Sequence, residues 1–225
     1  MKKTVILASA IIALSFNSNA QTYYRGNDGS SFHKGSLLVS ASEGGTYTHY
    51  TTTTTEGTAV KQGNENGDRD PLTIEYGLSR HWGVGINMGG DLFNVNSNKY
   101  YNYNGEMAQK TKVITSEVTA DVHYHFFVTH HTDLSAFVSF GFAGMNIEGG
   151  SGETKYKYTA NGGIARGGFE GRYYVTKRFG FLAMISGYSS RLSTKDVKDN
   201  TFGNNITTGI NGFAWELGMC VRFRK

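Results

Sequence analysis

The segment Asp121–Phe137, DVHYHFFVTHHTDLSAF, places four histidines, His123, His125, His130 and His131, within nine residues, with Asp121 and Asp133 at its flanks. Imidazole is the commonest protein ligand for metals and carboxylates complete many such sites, so a metal centre is the first chemistry these residue types suggest. The same stretch also alternates apolar and polar residues, breaks, and alternates again, which is the pattern of two strands joined by a turn. On that reading His123 and His125 share one strand face, a usable ligand spacing, while Tyr124 and Phe126 take the other and His130 and His131 fall in the turn. The elements around the segment decide between the two.

Lys2 and Lys3 precede an apolar run, Val5 to Phe16, and the polar stretch that follows ends Ser18-Asn19-Ala20 before Gln21. A basic start, a short apolar run and small residues before the cut form a secretory signal peptide cleaved after Ala20. A transmembrane helix needs about 20 apolar residues, so this run is too short for an anchor. The chain divides into a signal peptide, 1–20, and an exported domain, 21–225. Loss of Lys2 and Lys3 takes the formal charge from +4 to +2, and no stripe of lysine and arginine is left to bind nucleic acid. Cys220 is the sole cysteine, which excludes an intramolecular disulfide and reads as an inert small residue. Thirty glycines, 13% aromatic residues, one proline (Pro71) and no long helical periodicity describe an all-β domain.

Period-two alternation recurs in eight runs: Gly35–Ser42, Leu72–Leu78, Trp82–Gly89, Glu117–Phe126, Leu134–Ala143, Arg166–Val175, Phe179–Tyr188 and Phe213–Phe223. Short turns, Ser79–His81, Phe127–Asp133 and Thr176–Arg178, join the second run to the third, the fourth to the fifth and the sixth to the seventh. Long polar segments make the other connections, with turn signals at Asn66-Gly67 and Asn104-Gly105. The pattern predicts an eight-stranded antiparallel up-and-down transmembrane β-barrel with all its long loops at one end.

A soluble lipocalin-like barrel shows the same alternation turned inside out. Here the polar phase is mostly Gly, Ser, Ala and Asn, with no lysine in a strand centre, which suits the narrow interior of an eight-stranded barrel. The other phase is large and apolar, as lipid-facing positions require. Tyr76, Trp82, Tyr124, Phe126, Tyr173, Phe179 and Phe223 lie on it near the short turns, the place of a periplasmic-side aromatic girdle.

PLTIEYGLSRHWGVGIN, ADVHYHFF, FEGRYYVTKRFGFLAMISGY and the terminal WELGMCVRFRK resemble the small outer membrane protein β-barrel domain family, related in form to OmpX and the OmpA barrel. The resemblance covers nearly the whole exported chain, and the start at Gln21 is similar to exported proteins of the Bacteroidetes. It implies a bacterial outer-membrane protein that contacts lipid and lipopolysaccharide, is placed by the outer-membrane insertion machinery and works as a monomer without a cofactor. At the terminus, where many such barrels end on an aromatic residue, Phe223 is followed by Arg224 and Lys225.

The charged residues on the lumen phase are Glu75, Glu117, Asp121, Arg166, Glu170, Arg172, Glu216 and Arg222, joined by His123 and His125, with Glu75, His125, Arg172 and Arg222 expected at similar heights. Buried charges must be paired, so these predict an interior polar network that fills the lumen. A narrow gated pore is the alternative. A lipid A-modifying enzyme on such a barrel would need serine, histidine and an acid at the outer rim, where the only histidine is His49. No catalytic, cofactor or metal site is expected. The segments Tyr47–Thr55, Asn98–Asn104 and Lys155–Tyr158 offer tyrosine-rich surfaces for adhesion or an extracellular ligand. The histidine cluster is expected to dissolve, leaving a lumen pair sensitive to pH.

Overall fold

The computed structural model describes residues 31–54, 59–95, 111–149, 156–194 and 206–223. The signal peptide, Asn98–Asn104 and the Asn104-Gly105 turn lie outside them. Ten strands form: β1 (Leu37–Thr54), β2 (Ala59–Arg69), β3 (Leu72–Gly77), β4 (Trp82–Gly89), β5 (Asp91–Val95), β6 (Thr111–Val128), β7 (Thr132–Gly149), β8 (Tyr156–Tyr174), β9 (Phe179–Ser193) and β10 (Ile206–Phe223). All pairings are antiparallel. β3 and β2 follow one path along β1, broken at Asp70-Pro71, where proline has no N–H for the ladder. β4 and β5 share a second path along β6, broken at Gly90. Ten segments thus make eight staves, and β1–β10 pairing closes the ring with no free edge.

A row of paired residues that leaves β1 at Leu37 passes Tyr76, Val84, Val122 and Val138, continues through Gly167, Gly187 and Phe213, and returns to β1 at Tyr47. That stagger of ten residues over eight staves sets a strand tilt of about 40° and about 2.5 Å of height per residue. On this lattice the outward side chains of Trp82, Tyr124, Phe126, Tyr173 and Phe223 fall at one level beside the short turns. Tyr47, Phe142 and Phe213 form a second level roughly 20–25 Å higher, the thickness of a lipid-facing apolar band. Between them Phe140 is 66% exposed and Phe142, at the upper edge, 81%. Side chains of that size stay uncovered in this way against an apolar medium, not against water.

Above the band the polarity of the wall reverses. Outward positions become His49, Asn66, Asn161, Arg191 and Asn211, all exposed. Inward positions become Tyr50, Phe93, Val113, Met145, Leu192 and Ile210, which pack into a buried apolar cluster. The upper wall is therefore built as a soluble protein is, with an apolar cluster inside and polar residues outside. Leu192→Ala should lower unfolding stability by about 2–5 kcal/mol, while Arg191→Ala beside it should stay within about 0.5 kcal/mol; urea unfolding of the refolded barrel compares the two.

The strands run further than the alternating runs. β1 continues to Thr54 and β8 begins at Tyr156, where the runs ended at Ser42 and began at Arg166. Asn66-Gly67 is no loop tip, because both residues lie in β2, Asn66 opposite Tyr47 and Gly67 opposite Thr46. The segment Phe127–Asp133 is likewise mostly strand, leaving 129–131 as the turn. A bulge between His125 and Phe127 lets Phe126 and Phe127 both face outward.

The short-turn mouth is covered from within by residues 31–36. Ser31 N donates to Thr129 O at 2.6 Å, Gly35 N donates to Gly77 O at 2.8 Å, and Phe32 is fully buried. Gly35 sits at φ +83°, the left-handed turn that glycine takes without strain.

Candidate functional site

The alternation of eight staves delivers the charged residues of the lumen phase to the inside, and the ladder offsets sort most of them into two clusters. Glu75, Glu117, Asp121, His123, His125, Arg166, Glu170, Arg172, Glu216 and Arg222 are all buried.

The lower cluster, beside the short turns, is centred on Arg172 of β8. Its Nη2 donates to Glu75 Oε2 at 2.6 Å, its Nη1 to Asp133 Oδ2 at 3.3 Å and its Nε to Glu170 Oε1. His125 bridges the same two partners across the lumen: Nε2 lies 2.7 Å from Glu75 Oε1 and Nδ1 2.7 Å from Asp133 Oδ1. An ionised carboxylate only accepts, so this geometry suits a ring that donates from both nitrogens. Phe32 stacks on that ring at 3.6 Å between centroids. Gly83 makes room for the Glu75 carboxylate, whose Oε1 occupies the place a Cβ would take.

The upper cluster is centred on Arg69 at the end of β2. Its Nε donates to Glu216 Oε1 at 2.7 Å, its Nη1 to Asp91 Oδ1 at 3.1 Å and its Nη2 to Glu117 Oε1. Glu117 Oε2 accepts from Arg166 Nη2 at 3.1 Å, and Ser42 and Thr115 donate to the remaining oxygens of Glu216 and Asp91. The Arg166 guanidinium also lies 4.8 Å from the Tyr188 ring centroid, and Tyr188 is hydrogen-bonded to Thr48. Both clusters tie several staves together through forked, charge-assisted bonds, the strong class of hydrogen bond.

Arg222 donates to backbone carbonyls, Lys177 O from Nε at 3.1 Å and Ser31 O from Nη1. Asp121 lies between the clusters and accepts from Thr119 Oγ1 at 2.7 Å. His123 has no hydrogen-bond partner on either ring nitrogen among the described residues. Both nitrogens of His125 face carboxylates, and His130 and His131 are exposed at the turn, so the turn pair stands apart from the lumen pair. Among the described residues no set of three or more histidine, cysteine or acidic side chains is arranged to hold a metal. His49, at the outer rim, bonds Asn64 Oδ1 at 2.8 Å. Cys220 is buried in the lumen. The aromatic residues at the short-turn side, Tyr76, Trp82, Tyr124, Phe126, Tyr173, Phe179 and Phe223, lie on the outer wall, with Phe179 half-buried and the others exposed.

Sequence reasoning missed Arg69, Asp91, Asp133 and Phe32. The first three sit in stretches that look like turns, DRDP, GGDL and HHTD. A signal was present: the odd-numbered inward phase of β3 continues through Pro71 to Arg69, and that of β4 through Gly89 to Asp91.

A closed β-wall with an apolar outside and an ionic inside defines a transmembrane β-barrel. No protein-family model and no curated protein matches the sequence. Among solved structures, the chain is similar to the outer membrane protein AlkL in lipid bilayers, at 12% identity and a TM-score of 0.51, over 91% of this chain and 97% of that one. It is similar to a major outer membrane protein from Thermus thermophilus at 12% identity and a TM-score of 0.51, over 84% of this chain and 99% of that one. The likeness is one of fold. The chain is a small eight-stranded barrel of the outer-membrane type, and its apolar band and closed β-wall suit it to the bacterial outer membrane.

Proposed function

We propose that this protein is a non-catalytic outer-membrane barrel whose lumen is permanently filled and whose contacts with other molecules are made at the outer rim. The observation that carries the reading is the stacking of fillings along the lumen. Phe32 and the Arg172 cluster stand at the short-turn end, the Arg69 cluster above them, and the apolar cluster of Tyr50, Phe93 and Leu192 at the top. Each bridges staves from different sides of the ring, which favours a solid interior over a gated pore. Chemistry of the serine–histidine–acid kind has no support: His49 bonds an asparagine, and His125 is engaged by two carboxylates.

The strands project beyond the apolar band, so the rim stands clear of the membrane and carries its polar residues outward. Adhesion or binding of an extracellular ligand is assigned to the tyrosine-rich segments, Asn98–Asn104 among them, on their composition. Signal-peptide cleavage after Ala20, placement by the insertion machinery, contact with lipopolysaccharide and a monomeric state complete the reading. Planar-bilayer recordings should show no steady conductance, and a large steady current would overturn the filled lumen. Replacing residues 96–110 with a short glycine–serine turn should abolish surface binding by whole cells while the barrel still folds; unchanged binding would remove that rim segment from the function.

A further inference from the structure

The three short turns share one construction. In Ser79-Arg80-His81-Trp82, Thr129-His130-His131-Thr132 and Thr176-Lys177-Arg178-Phe179, the first hydroxyl accepts from the N–H groups two and three residues on, at 2.9–3.3 Å. A serine or threonine used in this way sets the turn locally. Each turn is then clasped to the next stave. His81 O accepts from His125 N at 2.8 Å, His131 O from Tyr174 N at 2.7 Å and Arg178 O from Arg222 N at 2.7 Å. The rings of His81 and His131 add a second clasp, Nδ1 donating to His125 O at 2.8 Å and to Tyr174 O at 2.9 Å. None of these bonds needs a lysine or arginine side chain at the two central positions, yet all six central residues are arginine, lysine or histidine. The segment that covers the same mouth adds another such pair, His33-Lys34, where Ser36 Oγ accepts from His33 N at 3.2 Å.

Fixed charge at this end has one sign. Lys34, Arg80 and Lys177 are exposed and Arg178 is half-buried, and among the described residues no exposed acid stands beside them. Asp133, next to a turn, is buried against Arg172 and His125. The exposed acids Glu43, Asp68 and Asp70 stand well above, between the middle of the apolar band and the outer rim. Arg80 and Lys177 are each two residues from an aromatic of the short-turn girdle, Trp82 and Phe179, which puts them about 5 Å beyond it, at the level of lipid headgroups.

We propose that the short-turn rim is a binding surface for anionic phospholipids, with Lys34, Arg80, Lys177 and Arg178 pairing with headgroup phosphates of the leaflet on that side. The cations stand on turns that are already ordered, so little backbone freedom is lost when a headgroup docks. The pairs are spread around the mouth and continue the aromatic girdle, which suits a ring of lipids rather than one acidic protein seated on a single side. This surface lies at the opposite end of the barrel from the rim assigned to extracellular contacts, and it does not depend on whether the lumen conducts.

The test uses the full barrel carrying Trp215→Phe, which leaves Trp82, beside Arg80, as the sole tryptophan. Its quenching is compared in phosphatidylcholine bilayers doped with brominated phosphatidylglycerol or with brominated phosphatidylcholine. The expected result is a preference for phosphatidylglycerol of about fivefold or more, the scale of one cation at an anionic surface. It should vanish in about 0.5 M salt, which screens exposed charges. The triple variant Lys34→Gln, Arg80→Gln, Lys177→Gln should bring the two lipids to near parity, while Arg191→Gln at the outer rim should leave the preference unchanged. Heat-modifiable gel migration checks that each variant is folded. Equal quenching by the two lipids with the rim intact, or a preference that survives in the folded triple variant, overturns the proposal. The first criterion holds whether or not the triple variant folds.

Discussion

Arg69→Met is expected to destabilise the folded barrel by about 3–5 kcal/mol, the range for breaking a buried ion pair by removing one partner. The effect should be visible as loss of the compact, heat-modifiable gel band and a lower urea midpoint. Arg69 is fully buried and is bonded to Glu216, Asp91 and Glu117 at once. Its loss leaves Asp91 and Glu216, among the described residues, with only a side-chain hydroxyl each, Thr115 and Ser42, while Glu117 keeps Arg166. The expected rescue follows from the same geometry. Arg69→Met combined with Asp91→Asn and Glu216→Gln removes the stranded charges and should recover most of the loss, because a buried ionic set replaced as a whole is often near neutral. If the single variant were as stable as the wild type, the upper cluster would not hold the barrel together.

The second large effect belongs to the outer wall and depends on depth. Ile86 lies near the middle of the apolar band and is 51% exposed, whereas Tyr47 stands at its upper edge. Ile86→Arg should cost about 2–4 kcal/mol and Tyr47→Arg about 0–1 kcal/mol in equilibrium unfolding from lipid bilayers, since an arginine at the edge reaches the headgroups. Equal costs at the two heights would mean that the band is not a lipid-facing one.

The membrane-crossing half of each strand was legible because there the two phases differ most. In β10, Phe213, Trp215 and Leu217 alternate with Ala214, Glu216 and Gly218, and the facing follows. The upper half was not legible, since the polarity reverses within one strand. In β1 the outward set passes from Leu37 to Tyr47, His49 and Thr51 as the inward set passes from Ser40 and Ser42 to Tyr50. A rule that seeks outward apolar residues stops where the wall leaves the lipid, so it ends β1 early, begins β8 late and reads Asn66-Gly67 as a tip. The lumen set was legible from phase alone, but its partners were not. Arg69 and Asp91 sit at the breaks by Pro71 and Gly90, which resemble loops locally. Phe32 reaches His125 from a segment with no alternation to mark it. Which histidine is engaged and which is unpartnered depends on register between β6, β3 and β7, a long-range property.

The two tryptophans give the most direct measurement of the central claim that the apolar wall faces lipid. Trp82 is 49% exposed at the short-turn edge of the band and Trp215 is 52% exposed nearer its centre. In single-tryptophan variants, Trp82→Phe and Trp215→Phe, fluorescence is read in bilayers of lipids brominated at different acyl depths. Both tryptophans should be quenched by brominated chains and shielded from aqueous acrylamide. Trp215 should be quenched most by deep bromines and Trp82 by shallow ones. Quenching of both by acrylamide, with no response to brominated lipid, would contradict the membrane-spanning barrel.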